Sequence, residues 1–306
     1  MMRQKRLGYA FIFVLCGAFV VLCAPLAAAE RQPGSPPDVA ALQVALRARG
    51  VYGGPIDGIP GPATRSALME FQRRSGLPAD GVFGPRTRRA LGPYARHVLG
   101  SRLLVRGAFG WDVAALRFRL AWAVFPSGRF SGRFEGHLDR ALRAFETFAG
   151  LLPDGVAGPG VLSALRLPPP RSPIRLSWPL RAPVGDRFGP RGDRFHAGID
   201  MPALLRTPVR SAAAGRVTYS GWGGRGFGML VMIDHGDGVT TVYAHLAKLW
   251  MRIGESMSAG DVVGEIGATG DATGPHLHFE VRVRGAAIDP LTALSSGGAF
   301  RSRTRR

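Results

Sequence analysis

Four histidines and one aspartate in the C-terminal part of the chain form three short motifs: His196-Ala-Gly-Ile-Asp200, Tyr243-Ala-His245-Leu246 and Gly274-Pro275-His276-Leu277-His278. Residues two apart on a strand share a face about 7 Å apart, so His276 and His278 can face one pocket. Gly198 permits a bend that would bring His196 and Asp200 together. Two imidazoles, a carboxylate and an open position for water are the usual composition of a catalytic zinc site.

These motifs lie among short runs of Val, Ile, Thr, Tyr and Phe broken by glycines. The runs are residues 215–220, 229–234, 239–244, 262–266 and 276–283. Such short apolar runs between turn residues are typical of an antiparallel sheet with little helix. We therefore expect a β domain over residues 176–294 to position the histidines.

The N-terminal half contains an internal duplication. Residues 39–91 match residues 113–165 at a constant offset of 74, with roughly 19 of 53 positions identical. Leu42 and Leu46 lie one helical turn apart, as do Ala67 and Phe71, and glycine or proline clusters follow each helical pattern. Each copy is therefore predicted to be a small three-helix domain, at residues 36–93 and 110–167.

The two ends and the middle of the chain have their own compositions. Basic residues, an apolar stretch and small residues follow one another in residues 1–29, which is typical of a secretory signal; the alternative is a retained membrane anchor. After signal cleavage we expect no membrane span. Residues 168–175 form a Pro-rich linker, and residues 295–306 form a basic tail that either is a disordered, solubilising segment or adds attraction to anionic polymers.

The positions of the cysteines and the net charge limit which metal ligands and which partners the protein can use. Both cysteines, Cys16 and Cys23, would leave with the signal, so a metal site must use His, Asp and Glu. The chain has 40 Lys and Arg against 21 Asp and Glu, a formal net charge of +19, which favours anionic partners unless it serves only solubility. Export makes nucleic acid an unexpected partner. Hydrophobic residues at 46%, with 43 Gly and 24 Pro, exclude wholesale disorder and a long coiled coil.

Over roughly residues 176–292 the motifs resemble the lysostaphin or LytM type of zinc metallopeptidase, which cuts peptides in bacterial cell walls. The resemblance implies that His196, Asp200 and His278 hold one Zn²⁺ per chain, and that His245 and His276 are catalytic. We assign the general base to His245, with His276 orienting the water or stabilising the oxyanion, a division that the sequence leaves open. Glu280 either orients a ligand or is only paired at the edge of the core.

The first helical copy resembles the three-helix peptidoglycan-binding domain through Ile56-Asp57-Gly58, Thr64, Gln72, Asp80-Gly81 and Thr87. The second copy departs from this pattern at four polar positions, where it has Ser131, Leu138, Glu146 and Val161 in place of Asp57, Thr64, Gln72 and Thr87. We therefore expect the first copy to bind the wall, and the second to be either a second binder or a spacer.

The resemblances together predict a multidomain α+β chain: two small three-helix peptidoglycan-binding-like bundles, then an antiparallel β-sheet zinc peptidase domain. The expected function is that of an exported endopeptidase, periplasmic or associated with the wall, that hydrolyses amide bonds in peptidoglycan stem peptides or crosslinks. The alternative is a non-catalytic regulator that activates an amidase. Some members of the family place a tyrosine before the first zinc ligand, but residues 187–195 contain none, so Arg191 or Arg194 is the candidate for substrate binding.

Overall fold

The computed structural model describes residues 35–295. The signal or anchor predicted at residues 1–29 lies outside the described residues, as does the basic tail beyond Ser295. Within residues 35–295, the helices are all too short or too polar to cross a bilayer.

Two three-helix units form the N-terminal half, as the duplication predicts. The helices are α1 (Pro36–Ala48), α2 (Pro62–Arg74), α3 (Pro85–Leu91), α4 (Trp111–Trp122), α5 (Gly136–Phe148) and α6 (Pro159–Ala164), with a 3₁₀ turn at Gly92–Ala95. Helices α1 and α4 pack against each other, so the two copies share apolar contacts between residues such as Ala41, Ala45 and Ala115. We call these units the first and second repeat.

Within the first repeat, Gln43 organises a buried polar network. Its side-chain Nε2–H donates to Asp57 Oδ1 at 2.7 Å and to Thr64 Oγ1 at 3.1 Å, and its Oε1 accepts from Gly58 N–H at 3.0 Å. Buried polar groups cost free energy unless they are hydrogen-bonded, so this glutamine holds the loop between α1 and α2 in one conformation.

A second glutamine repeats the arrangement one helix further on. Gln72 donates to Asp80 Oδ1 at 2.8 Å and Thr87 Oγ1 at 3.1 Å, and it accepts from Gly81 N–H at 2.9 Å. The polar residues that the second repeat lacks are therefore internal supports of loops.

The second repeat replaces these glutamines by charged residues. Arg117, buried in place of Gln43, donates to the carbonyl oxygens of Ser127 at 2.6 Å and Arg133 at 2.7 Å. Glu146, fully buried in place of Gln72, accepts from Gly155 N–H at 2.9 Å through Oε2, but its Oε1 has no partner among the described residues. Burial raises the pKa of Glu146.

We expect Glu146→Gln to stabilise the protein at neutral pH by about 1–3 kcal/mol, the cost of one unsatisfied buried polar group. The new amide can donate to Asp154, as Gln72 does to Asp80. Because the folded-state pKa of Glu146 lies above the unfolded value, the wild type gains stability as the pH falls through that folded-state pKa, and the variant lacks this gain. Thermal unfolding at pH 7.5 and pH 5 measures both effects. A variant that is less stable than the wild type at pH 7.5 would contradict this account.

The C-terminal half is a β domain. Its strands are β1 (Gly189–Arg191), β2 (Arg194–His196), β3 (Ile199–Pro202), β4 (Pro208–Arg210), β5 (Gly215–Trp222), β6 (Met229–Asp234), β7 (Val239–Leu249), β8 (Ser256–Met257), β9 (Val262–Ile266), β10 (His276–Val283) and β11 (Ala286–Ile288). β1 and β2 form a hairpin, and the others form one antiparallel sheet in the order β11-β10-β7-β6-β5-β8, with β3 on β10 and β9 joining β4 to β7. Its core is aliphatic and aromatic, with Tyr243 and Phe279 fully buried.

Both repeats contact the β1–β2 hairpin. Ile56 N–H donates to Gly192 O at 2.8 Å, and Phe130 N–H donates to Asp193 O at 2.6 Å. Phe195, 8% exposed, packs into the apolar cluster that the two repeats share. The strand that ends at His196 is therefore held from the repeat side as well as from the sheet.

The Pro-rich segment at residues 168–175 does not hold the repeats away from the β domain. It lines a cavity of about 730 Å³ together with Trp122 of the second repeat and Phe188 and Asp289 of the β domain. The segment therefore runs along an interface between folded parts.

Candidate metal centre

Four strands bring the histidine motifs together. β3 pairs with one edge of β10, and Asp200 lies opposite His278 there. β7 pairs with the other edge, and Ala244, the neighbour of His245, lies opposite His278 on that side. His196 is the last residue of β2. The three motifs therefore meet at one end of the sheet.

Gly198, between His196 and Asp200, is needed for a different reason from the one expected. Its φ lies outside the left-handed region, so a special bend is not what the position requires. A Cβ there would lie 2.4 Å from Phe279 O, which real Cβ atoms do not tolerate. The glycine lets the chain between β2 and β3 pass directly against β10.

His196, Asp200 and His278 form a compact buried cluster. His196 Nε2 lies 3.0 Å from Asp200 Oδ1 and 3.0 Å from His278 Nδ1, and His278 Nδ1 lies 2.9 Å from Asp200 Oδ1. The three side chains are each at most 12% exposed. A tetrahedral zinc centre with bonds of about 2.0–2.1 Å separates its ligand atoms by about 3.3 Å, so the spacing fits such an ion.

The outer hydrogen bonds of the two imidazoles support the same conclusion. His196 Nδ1 lies 2.9 Å from Arg187 O, and His278 Nε2 lies 3.0 Å from Glu280 Oε1; each contact needs the proton on that nitrogen. The inner nitrogens of both rings converge on Asp200 Oδ1, and the hydrogen bonds there place a proton between them. A cation that displaced this proton would meet two imidazole nitrogens and a carboxylate oxygen, which are usual ligands of zinc.

The ionisation of His278 depends on the two carboxylates that contact it. Burial alone would lower the pKa of His278, but hydrogen bonds to Asp200 and Glu280 outweigh it and raise the pKa to about 9. Burial opposes ionisation of Asp200, yet the hydrogen bonds from His196 and His278 hold its pKa well below the usual range. Glu280 is 1% exposed, and burial alone would raise its pKa. The charge of Arg282, whose Nη2 lies 2.6 Å from Glu280 Oε2, outweighs burial and lowers the pKa of Glu280 to about 2.

His245 reaches the cluster because β7 contains a bulge. The register between β6 and β7 shifts by one residue between the pairs Met229–Leu246 and Val231–Tyr243, and His245 has a φ of 63°. A bulge breaks the alternation of side chains and can aim one of them off the regular face of the sheet. The His245 ring centre lies 5.8 Å from that of His278.

Both remaining imidazoles are fixed through Nδ1. His245 Nδ1–H donates to Thr269 O at 2.7 Å, and His276 Nδ1–H donates to Gly274 O at 2.8 Å. The two rings are 4.7 Å apart, and His276 Nε2 lies 3.7 Å from Asp200 Oδ1. Burial lowers the pKa of His245 to about 4, so this ring is neutral at pH 7.

The two candidate substrate arginines differ in position. Arg191 contacts Asp200 Oδ2 and Asp186 Oδ2, each at 2.8 Å, and it lines a cleft of about 640 Å³ together with Asp200, His245 and His276. Arg194 is exposed, and among the described residues it has no ion-pair partner. Arg191 therefore stands at the site through its contact with the Asp200 carboxylate.

Several contacts at the site carry no signal of their own in the sequence. Thr269 contacts His245 directly, whereas Asp186 contacts Arg191 and Arg282 contacts Glu280. Thr269 belongs to a Gly-Ala-Thr-Gly stretch that could have drawn attention to it. His235 lies apart from the cluster, between Ala214 O at 2.8 Å and Thr241 Oγ1 at 2.7 Å, and these contacts give it a structural role.

Two family profiles match parts of this chain. The profile of peptidase family M23 matches residues 194–290, and the profile described as "Putative peptidoglycan binding domain" matches residues 35–91 and 110–165. The chain contains an M23 peptidase domain and two peptidoglycan-binding domains. The M23 match spans His196 to His278, and the other matches span the two repeats.

Individual relatives cover parts of the chain. A DD-carboxypeptidase/endopeptidase, Mpg, of Neisseria meningitidis serogroup B is 43% identical over 115 residues, 37% of this chain and 26% of that protein. A lipoprotein NlpD/LppB homologue of Pseudomonas aeruginosa is 37% identical over 118 residues, 39% of each chain. The structure of the antimicrobial peptidase lysostaphin from Staphylococcus simulans aligns with a TM-score of 0.37 at 31% identity, covering 41% of this chain and 55% of that one. The chain thus spans about a quarter of the neisserial relative's length.

Proposed function

We propose that this protein is a zinc-dependent endopeptidase that acts in the cell envelope, binds peptidoglycan through its repeats and hydrolyses amide bonds in stem peptides or crosslinks. The observation that carries the proposal is the convergence of His196, Asp200 and His278 within 3.0 Å of one another, with two further histidines beside them. A merely structural cluster gives no reason for Asp200, His245 and His276 to line one cleft directly beside the buried His196 and His278. The name of the neisserial relative, an endopeptidase, supports the same reaction class.

In this proposal His196, Asp200 and His278 hold one Zn²⁺, which supplies a Lewis acid for the scissile carbonyl and acidifies a water molecule. The protein holds the ligands in place from outside. Arg187 O fixes the ring of His196, Glu280 fixes the ring of His278, and Arg191 holds the second oxygen of Asp200. Such outer contacts set ligand orientation and tautomer.

His245 is the proposed general base. Its Nδ1–H is committed to Thr269 O, so the neutral ring presents Nε2 as a proton acceptor. It takes a proton from the attacking water at Nε2 and returns it to the leaving amine.

His276 is the proposed water-orienting residue. Its Nδ1–H donates to Gly274 O, so Nε2 is the ring nitrogen left to accept a hydrogen bond at the site. This favours a role in orienting the water over direct stabilisation of the oxyanion. Arg191 at the cleft is the proposed contact for a substrate carboxylate, and Arg194 stays a more distant candidate.

Glu280→Gln tests the outer support of the zinc site. The amide cannot offer the charged acceptor that His278 Nε2–H and Arg282 contact at 3.0 and 2.6 Å. We expect zinc affinity to fall about 10–100-fold, as for loss of other outer partners of metal-bound histidines. Competition with a chromophoric chelator measures this directly. Glu265→Gln on β9 is the matched control, and equal losses in both variants would argue against a positioning role for Glu280.

The function itself is tested on purified crosslinked sacculi. Residues 30–306 are stripped of metal and then assayed with and without added zinc, and released fragments are analysed by mass spectrometry. New amine and carboxylate termini that require zinc would establish the hydrolase and name its bond. Binding to sacculi without any release, at every zinc loading, would contradict the enzyme proposal and favour the non-catalytic regulator of an amidase.

A further inference from the structure

The first repeat contains a pocket away from the metal centre. The pocket has a volume of about 300 Å³ and lies between α1, α2 and the loop before α3. Its apolar floor consists of the buried side chains of Val39, Leu42 and Leu68. Its rim carries the cation of Arg65, the anion of Asp80 and the backbone of Gly81.

Arg65 supplies an uncommitted cation at this rim. Its side chain lies along Gly81, where a Cβ would be 3.0 Å from both Cγ and Nε of the arginine. Among residues 35–295, no carboxylate pairs with Arg65, although Arg73 and Arg74 on the same helix both pair with Glu70. The guanidinium is therefore available to an external anion.

Asp80, by contrast, is partly committed to the fold. Its Oδ1 accepts from Gln72 Nε2–H at 2.8 Å and from Val82 N–H at 2.8 Å, and these two hydrogen bonds lower its pKa. Asp80 therefore stays ionised, and its other carboxylate oxygen is left for a donor from a ligand.

The second repeat closes the corresponding surface. Asp139 occupies the position of Arg65 and pairs with Arg143 at 3.2 Å. Both side chains lie over Gly155, where a Cβ would be 2.6 Å from Asp139 Oδ1 and 2.7 Å from Arg143 Nη2. Arg143 also donates to Pro153 O. The duplication thus provides an open and a closed version of one site.

We propose that the pocket of the first repeat binds the peptide stem of peptidoglycan, with Arg65 contacting a free carboxylate, Asp80 contacting an amine or amide donor and the floor accepting a methyl side chain. This rests on the proposed envelope function. Glycan is the less suitable ligand, because among the described residues no aromatic ring lines the pocket on which a sugar could stack. A guanidinium matches a carboxylate in geometry as well as in charge.

The test uses full-length mature protein that has been stripped of zinc, so that binding is measured without cleavage. The probes are a soluble tetrapeptide stem in calorimetry and whole sacculi in cosedimentation. Arg65→Asp imports the residue of the second repeat and should weaken tetrapeptide binding at least about tenfold, the loss of one charge-assisted hydrogen bond. Arg65→Gln should weaken it less. Thermal midpoints show whether each variant is folded.

One control carries the same charge change. Arg86→Asp alters an exposed arginine of α3 that does not line the pocket. It should bind within about twofold of the wild type, the range expected of surface changes away from a site. Equal losses in Arg86→Asp and Arg65→Asp would overturn the pocket in favour of general charge attraction, and tight binding to peptide-free glycan strands would overturn the peptide assignment.

Hydrolysis of a soluble peptide substrate by the zinc-loaded variants separates this proposal from the enzymatic one. If the wild type hydrolyses the substrate but Arg65→Asp binds the stem normally, the pocket proposal fails and the proposed function stands. If binding depends on Arg65 but no variant hydrolyses anything, the enzymatic proposal fails and the pocket stands.

Discussion

Replacing His245 by alanine is expected to lower the rate of peptide hydrolysis about 10²–10⁴-fold, the usual contribution of a general base. The reason is geometric. The ring is neutral at pH 7, its Nδ1–H is held by Thr269 O at 2.7 Å, and its centre lies 5.8 Å from that of the proposed ligand His278. Steady-state kinetics on a soluble crosslinked muropeptide measures the loss.

The same variant should still bind one zinc per chain, because His245 is not among the three side chains that form the ligand cluster. Metal analysis after dialysis checks this. His235→Ala is the matched control, since it removes a half-buried histidine from the same domain without touching the cleft. A His245→Ala protein that retains wild-type turnover, or one that loses zinc, would refute the assignment of the base.

Asp200→Ala should have the second large effect, which is loss of both zinc and hydrolysis. Its Oδ1 lies within 3.0 Å of both ligand nitrogens, and its Oδ2 neutralises Arg191 at 2.8 Å. Removing the carboxylate takes away one ligand oxygen and leaves Arg191, beside the cation site, paired only with the exposed Asp186. The zinc affinity should therefore fall by more than the about 10–100-fold expected for an outer partner.

Asp186→Ala is the matched control for that variant. Asp186 contacts the same nitrogen of Arg191 at 2.8 Å, but it is exposed and does not contact a histidine. Zinc titration followed by calorimetry should give a stoichiometry near one for this control and no measurable binding for Asp200→Ala. Tight zinc binding by Asp200→Ala would show that the metal centre uses a different ligand set.

The position of the repeats also bears on how the proposed wall binding and the proposed hydrolysis combine. A flexible tether would raise only the local concentration of substrate. Here Ile56 and Phe130 instead donate backbone hydrogen bonds to the turn of the β1–β2 hairpin, and Phe195 packs into the core of the repeats. Because Phe195 immediately precedes His196, the repeats support the strand that carries a proposed ligand.

Local pattern was enough to predict the elements. The apolar runs at residues 229–234, 262–266 and 276–283 are β6, β9 and β10 with the same bounds, and each repeat has its three helices. The alternation of a strand also placed His276 and His278 on one side of β10. These properties depend on backbone periodicity and turn residues, which a sequence displays directly.

Only the tertiary structure decided how those elements meet. The bulge that directs the side chain of His245 arises from a register shift between β6 and β7. Arg191 contacts Asp200 because the β1–β2 hairpin folds back over β3. In the repeats, polar side chains such as Gln72 that differ between the copies hold loops in place. The exposed Arg65 lines an open pocket in the first repeat, whereas Asp139 at the same position of the second repeat is paired and closes it. Such contacts join residues far apart in the chain, so their energies depend on packing and register, which no local pattern records.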